Sequence, residues 1–393
     1  MTSIKSMVLY SKLVEDDGGY LYMERQSKVL FEGCDSYVLS SRNGIVGYFT
    51  RIYLGRVYTK IRRLGFFSFI NSLIEKFLAR SHAQHFLQTV NLNQPLILVC
   101  MSEHILSFLV AEQLKLRSAK LSIHFSMLDL PWSYNSSEKY RYNLRKKFIK
   151  KFLSSVDSAD FVSPAMQDLF IKEGFKGSSL VTYSGIELVT NKNSLLETDL
   201  SIESIFRDKL VHTGGLRAKK EIYSICDQFI DNSLTDGQLI SIDHYGTHKI
   251  DHEVVSSHTF LELDKIRKTL SKYELGLVPM SFKKSDLELV ENSFPGKAWL
   301  YCMNGVIPVI FAPKCSAISV LFKHLGLGYV IDDYSKIHKI RAIKLSSEQI
   351  KKQLQIINEF HVNLADSFKT YILELKNIHL SLHSLSSSNS LKI

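Results

Sequence analysis

Residues 293–310, Ser-Phe-Pro-Gly-Lys-Ala-Trp-Leu-Tyr-Cys-Met-Asn-Gly-Val-Ile-Pro-Val-Ile, constrain the fold of this chain more than any other stretch. A Pro-Gly pair opens an apolar segment too short to span a membrane. Gly305 closes it, and Ile307-Pro308-Val309-Ile310 restarts as a buried strand. Loop, helix, tight turn and strand are the repeating unit of a parallel sheet, so the stretch predicts α/β layering. Taken alone it is also what any scaffold unit of such a sheet looks like.

The same unit recurs along the chain. Ser6–Tyr10 reads as a first strand, the Glu15–Gly19 segment as a loop, and Tyr20–Phe31 as a helix. Ser36–Ser40, Pro95–Cys100 and Lys120–Phe125 follow as strands, with a helix over about Glu103–Leu116. Ala159–Val162 gives a short strand, Ser163-Pro164 a helix start, and Leu180–Ile186 another strand and turn. Periodicity then fades from Glu187 to Arg207. It resumes with strands at Lys209–Thr213, Gln238–Ile242, Thr259–Leu261 and Leu275–Pro279. A chain of 393 residues suits two domains. The expected division is 1–190, a linker over 191–207, a second domain over 208–345, and a C-terminal helix and Ser-rich tail over 346–393. Ser346–Ile378 reads as helix and Ser384–Ile393 as disordered.

The net charge of +10 and pI near 9.1 call for an anionic partner: nucleic acid, an acidic membrane surface or a phosphorylated substrate. Within the basic, aromatic segment from Tyr48 to Phe86, Arg56, Lys60 and Arg63 fall on one helical face beside Arg62. That face fits an anionic membrane surface, or a solvated face over an ordinary core. A second basic helix, about Glu138–Leu153, carries Tyr140, Leu144, Phe148 and Phe152 as an apolar stripe. No RNA-binding or helix-turn-helix signature accompanies it, so no nucleic acid partner is expected. The five cysteines are scattered without a Cys-x-x-Cys pair, which fits a reducing cytosol. Acidic residues soon after the first apolar run suit a strand better than a secretory signal, and no stretch is apolar enough to span a bilayer. The expected location is cytoplasmic, peripheral on the inner face of the cell membrane. Metal-ligand spacing, a Gly-x-Gly-x-x-Gly loop and a Walker lysine are all missing from the sequence, so neither a metal nor a cofactor is expected.

At Pro295, Lys297, Tyr301, Gly305, Pro308 and Val309 the chain resembles the sugar-nucleotide glycosyltransferases of the GT-B fold, most closely family 4, also called group 1. Leu300 stands in the place of the usual Glu. The order Ala159-Asp160, an apolar pair, Ser163, helix, strand and Gly185-Ile186-Glu187 resembles the end of that family's first domain. The resemblance implies two Rossmann-like, doubly wound domains, a central cleft and a C-terminal helix that packs back across. It implies transfer of a sugar from a nucleotide-sugar donor to a glycan or lipid-linked acceptor in cell-surface polysaccharide biosynthesis. Retention of configuration and independence of metal come with it.

The resemblance also implies a site. Gly18 and Gly19 would face the donor phosphates. After the strand Leu210–Thr213 comes Gly214-Gly215-Leu216-Arg217-Ala218-Lys219-Lys220, where the family places Gly-Arg-Leu and then a Lys that together hold the donor diphosphate. Gly215 occupies the Arg position, so Arg217 with Lys219 or Lys220 would supply the charge from displaced positions. Lys297 lies in the matched Pro-x-Lys, flanked by Pro295 and Gly296. Glu288 and Glu291 are candidates for the sugar hydroxyls, and Asn292 sits at the usual spacing from Leu300. Asp129 would orient or deprotonate the acceptor hydroxyl, with Leu128 in place of the family's His. Each residue also has a plain reading: a solvated helix start, an exposed acidic loop, a turn Asp. A catalytically inactive GT-B-like protein that binds glycans or a partner, and a sugar-nucleotide epimerase, are the competing functions.

Overall fold

The structure, a computed structural model, describes residues 5–9, 68–89, 96–101, 105–117, 121–127, 130, 132, 139–183, 206–215, 219–236, 240–342 and 346–389. The chain divides into two compact units, Met1–Thr182 with Ser367–Ile393, and Tyr183–Asp366.

In the first unit β1 (Lys5–Leu9), β2 (Leu96–Met101), β3 (Leu121–Met127), β4 (Ser158–Phe161) and β5 (Ser178–Val181) form one parallel sheet in the order β1-β2-β3-β4-β5. Every residue of β3 is buried, as a strand covered on both faces must be. Its histidine is paired. His124 lies 2.9 Å from both Ser158 Oγ and Asp160 Oδ1, and Thr182 Oγ1 donates to Asp160 Oδ2 at 3.1 Å. His124 is thus a core residue. The helix Pro164–Lys172 starts where Ser163-Pro164 predicts, with Ser163 Oγ accepting the Met166 N–H at 3.1 Å.

The basic helix Lys139–Leu153 buries Ile149, Phe152 and Leu153 and leaves Phe148 half-buried. Lys146 and Lys150 both pair with Glu173, and Lys146 sits 5.2 Å from the centre of the Trp132 ring. Part of its charge is neutralised within the fold.

In the second unit β6 (Phe206–Thr213), β7 (Ser241–Tyr245), β8 (Val255–His258), β9 (Tyr273–Pro279), β10 (Ile307–Phe311) and β11 (Tyr329–Ile331) form a parallel sheet in the order β11-β10-β9-β6-β7-β8. The chain winds outward from β6 to β8, then returns to the other side of β6 and winds outward again. This is the doubly wound order, and its direction reverses between β6 and β9. β10 is buried throughout, and the helix Lys297–Met303 turns Ala298, Trp299, Tyr301 and Cys302 inward. Gly305, at φ 73°, makes the turn between them.

Local expectations differ at several places, and the strand expected at Gln238–Ile242 is Ser241–Tyr245. The strand expected at Thr259–Leu261 is Val255–His258, an edge strand alternating between half-buried and exposed, while Phe260 is 45% exposed. The acidic segment expected as a loop forms a short helix, Leu287–Asn292. Of the Ser-rich end expected to be disordered, Ser384–Asn389 continue the helix Ser347–Asn389, since a formed helix gains one hydrogen bond for each residue it adds. That helix docks at two places. Gln353 Oε1 accepts the Gly328 N–H at 3.4 Å in the second unit, and Tyr371 Oη lies 3.0 Å from the Ala159 carbonyl in the first. Among the described residues no helix is long and apolar enough to cross a membrane.

Candidate functional site

In an open α/β sheet the crevice outside the carboxyl ends of the strands, at the point where strand order reverses, is where ligands bind. Here that point is the end of β6 beside β9. His212 and Thr213 end β6 there and Gly214 and Gly215 follow it, while Met280 and Ser281 leave β9.

His212 and His244 are register partners on β6 and β7, both fully buried, with their rings stacked 5.0 Å apart. Their Nδ1 atoms lie 2.9 Å from each other. His244 Nε2 reaches the carbonyl of His248 at 2.9 Å, and His212 Nε2 lies 2.9 Å from Lys297 Nζ. Burial, then the Lys297 charge, then His244 hold His212 well below the ordinary histidine range. Burial likewise lowers His244. Lys297 is half-buried as a residue, yet desolvation of its amine lowers its pKa to about 8. No carboxylate of the described residues pairs with it. A desolvated cation facing a neutral imidazole leaves its charge available to an anion.

Tyr301 lies four residues after Lys297, on the same helical face. Its hydroxyl accepts the Thr213 N–H at 2.9 Å and donates to the Leu277 carbonyl at 3.4 Å, tying the helix to β6 and β9 together. Gly276 lies beneath the ring, where a Cβ would sit 2.4 Å from Tyr301 Cδ2. The helix approaches the sheet that closely, and this sets the height at which Lys297 meets His212.

Gly214 turns at φ 88° and donates its N–H to the Tyr245 carbonyl at 2.9 Å. A Cβ at Gly214 or Gly215 would meet nothing within 4 Å, whereas one at Gly246 would lie 2.6 Å from the His244 ring and 2.7 Å from the Gly214 carbonyl. The pair therefore borders open space while Gly246 closes the floor below. The cost at Gly214 is then conformational and not steric: Gly214→Ala should lower unfolding stability by about 1–2 kcal/mol. Gly215→Ala should stay within about 0.5 kcal/mol. Chemical denaturation of the two variants checks the contrast, and equal losses would count against it.

On the same edge Ser281 Oγ lies 3.0 Å from Glu221 Oε1 and 2.8 Å from Asp286 Oδ2. Burial, then Glu221, pushes the Tyr334 phenol up to about 12. No group of three or more His, Cys, Asp or Glu among the described residues is placed to hold a metal ion.

Of the residues singled out in the sequence, Gly214 and Lys297 come together here. Pro295 and Gly296 build the first turn under Lys297, their carbonyls accepting the N–H groups of Ala298 and Leu300. Lys219 and Lys220 open the helix Lys219–Asp236, with Lys220 exposed. Asn292 is buried and gives one amide N–H to the Glu288 carbonyl at 2.6 Å, and Glu291 lies beside the Cys315 thiol. Gly18, Gly19, Arg56, Lys60, Arg62, Arg63, Asp129 and Arg217 lie outside the described residues. His212 was legible only as a residue of the expected strand Lys209–Thr213, and His244 lies two residues beyond the strand expected at Gln238–Ile242, inside the strand Ser241–Tyr245. The one signal in their favour is a histidine within an otherwise buried strand.

No family model and no curated protein matches the chain by sequence. Solved structures match its fold. A sucrose-phosphate synthase from Thermosynechococcus elongatus is similar with a TM-score of 0.62 at 12% identity, over 98% of this chain and 100% of that one. An alpha,alpha-trehalose-phosphate synthase (UDP-forming) from Burkholderia vietnamiensis is similar with a TM-score of 0.60 at 11% identity, over 98% and 99%. A trehalose-6-phosphate synthase studied for glycosyl transfer with retention gives 0.59 at 10% identity, over 95% and 99%. At these identities the likeness is one of fold, and the fold is GT-B: two Rossmann-like α/β domains.

Proposed function

We propose that this protein is a glycosyltransferase that moves a sugar from a nucleotide-sugar donor to a glycan or lipid-linked acceptor, with retention and without a metal, in cell-surface polysaccharide biosynthesis. The observation that carries the reading is Lys297: a desolvated cation with no carboxylate partner among the described residues, at the strand-order reversal of a GT-B domain, beside an open Gly214-Gly215 turn. The similar solved structures, a UDP-forming synthase and a sucrose-phosphate synthase among them, support the same class.

The chemistry asks for such a cation. As the bond from the sugar C1 to the diphosphate oxygen breaks, its electron pair stays on that oxygen, and the leaving group gains negative charge. A fixed ammonium in a desolvated site stabilises that charge without reorganising, and it does so more in the transition state than in the ground state. Arg217, with Lys219 or Lys220, adds charge from the turn that follows Gly215. Asp129 orients or deprotonates the acceptor hydroxyl, which bonds to C1 on the face the diphosphate leaves. Glu291 and Asn292 contact the donor, and Gly18 and Gly19 approach its phosphates. The basic face of Arg56, Lys60, Arg62 and Arg63 brings the protein to an anionic membrane surface, where a lipid-linked acceptor would lie.

The test is a titration with UDP, GDP, ADP and dTDP followed by thermal and chemical unfolding. One nucleoside diphosphate should stabilise the protein, by about 2.7 kcal/mol at a hundredfold excess over its Kd. Its sugar conjugate should release that diphosphate when acceptor glycans or lipids are added. Failure of all four to bind at millimolar concentration would end the proposal. Binding without release would give instead a catalytically inactive GT-B-like protein, the reading that Gly215 in the Arg position favours.

A further inference from the structure

The contacts behind Lys297 admit one assignment of protons with both imidazoles neutral. The chain ends at the His248 carbonyl, which only accepts, so His244 Nε2 carries a hydrogen and His244 Nδ1 is left with its lone pair. His212 Nδ1 must then donate to His244 Nδ1, which leaves His212 Nε2 as the acceptor for Lys297. Every bond runs in one direction, from ammonium to imidazole to imidazole to carbonyl. A protonated His212 would turn an N–H toward the ammonium and break the sequence at its first step. The lowered pKa values of both histidines agree with this accounting.

We propose that His212 and His244 are positioning residues for Lys297: a one-way hydrogen-bond relay, anchored on the His248 carbonyl, that engages one N–H of the ammonium and directs the other two at the donor diphosphate. The purpose rests on reading the site as the donor-diphosphate site, whereas the relay itself does not. The geometry supports the device at each link. The histidines are held opposite each other by the register of β6 and β7, the missing side chain of Gly246 makes room for the His244 ring where a Cβ would lie 2.6 Å from it, and Tyr301 fixes the helix that carries Lys297. Among the described residues, the titratable groups that act on the two histidines from outside the pair are Lys297 and His248, and neither is a carboxylate.

Two measurements separate the relay from its purpose. In ligand-free protein labelled with 15N-histidine, His212 should be the Nδ1–H tautomer and His244 the Nε2–H tautomer, both neutral from pH 6 to 8. Signals are assigned from their loss in single variants. The opposite tautomers, or a charged His212 in this range, would overturn the relay whether or not any nucleotide binds. With UDP, or whichever diphosphate binds, His212→Gln should keep affinity within about threefold, because its amide oxygen accepts from Lys297 and its amide N–H reaches His244. His212→Met fills similar volume but accepts nothing. It should weaken binding about 10–100-fold and move the alkaline loss of binding to lower pH, since the ammonium loses a bond that favours its charged form. A Met variant with unchanged affinity and unchanged alkaline limb would show that His212 merely fills space and would sink the positioning role. So would a Gln variant as weak as the Met one. If the wild-type protein binds no diphosphate while the tautomers are as stated, the donor-site reading has failed and the relay has not.

Discussion

Lys297→Met should lower turnover about 10²–10³-fold, a loss of about 2.7–4 kcal/mol of transition-state stabilisation, without lowering stability by more than about 1 kcal/mol. The two halves of this expectation have one cause. Desolvation lowers the Lys297 pKa from 10.5 to about 8, so at neutral pH the folded state carries the ammonium at a cost of about 3 kcal/mol. Methionine has nearly the same length and removes that cost. What it leaves behind is His212 Nε2 without a donor, a loss of about 1–3 kcal/mol that offsets most of the gain.

The sign of the pH dependence follows. Between pH 8 and 10.5 the unfolded chain binds more protons at this lysine than the folded chain, so wild-type stability gains a rising contribution across that window. The Met variant should lack that rise. Denaturant titrations at pH 7.5 and pH 10, compared between the two proteins, check it. A variant that unfolds outright, or one that turns over normally, would remove Lys297 from the site.

Gly276→Ala should cost about 2–6 kcal/mol and abolish nucleotide binding although it touches no ligand. The added Cβ would lie 2.4, 2.7 and 2.8 Å from Tyr301 Cδ2, Cε2 and Cγ, where real carbon contacts do not occur. The ring cannot swing aside, because Tyr301 is fully buried and its hydroxyl is held between Thr213 and Leu277. The helix Lys297–Met303 must lift instead, at an overpacking cost of about 1–3 kcal/mol. Parting Tyr301 from the buried Thr213 N–H costs a further 1–3 kcal/mol or so. The same displacement carries Lys297 away from His212. A stability loss under about 1 kcal/mol, with binding intact, would mean that the helix does not sit on Gly276 as described. Adding Tyr301→Leu to the alanine variant should recover part of the loss if the ring is the obstacle.

How the chain folds was largely a matter of local pattern. The Pro-Gly opening, the apolar helix, Gly305 and the Ile307–Ile310 strand each state a backbone preference that the structure realises, down to the positive φ of Gly305. Ser163-Pro164 does the same for its helix. Local reading failed where burial and sequence part company. Thr259-Phe260-Leu261 carries a strand's composition, but the edge strand is Val255-Ser256-Ser257-His258, whose side chains meet solvent on one face and need no apolar run. At the C-terminus the serines' weak helix preference counts for less than the bonds that extend a helix already formed.

The site divides along the same line. Sequence alone singled out Lys297 and Gly214, because a lysine at a helix start and a glycine at a strand end are local statements. It could not place His212 and His244, which are 32 residues apart in sequence and 2.9 Å apart at their nitrogens. Only the parallel pairing of β6 with β7 puts them opposite each other, and only the seating of Tyr301 on Gly276 brings Lys297, 85 residues beyond His212, to the end of that pair. Residue type and spacing record what a segment prefers for its own backbone. Whether a buried histidine meets a histidine, a lysine or nothing is decided by strand register and helix height, which no single segment contains.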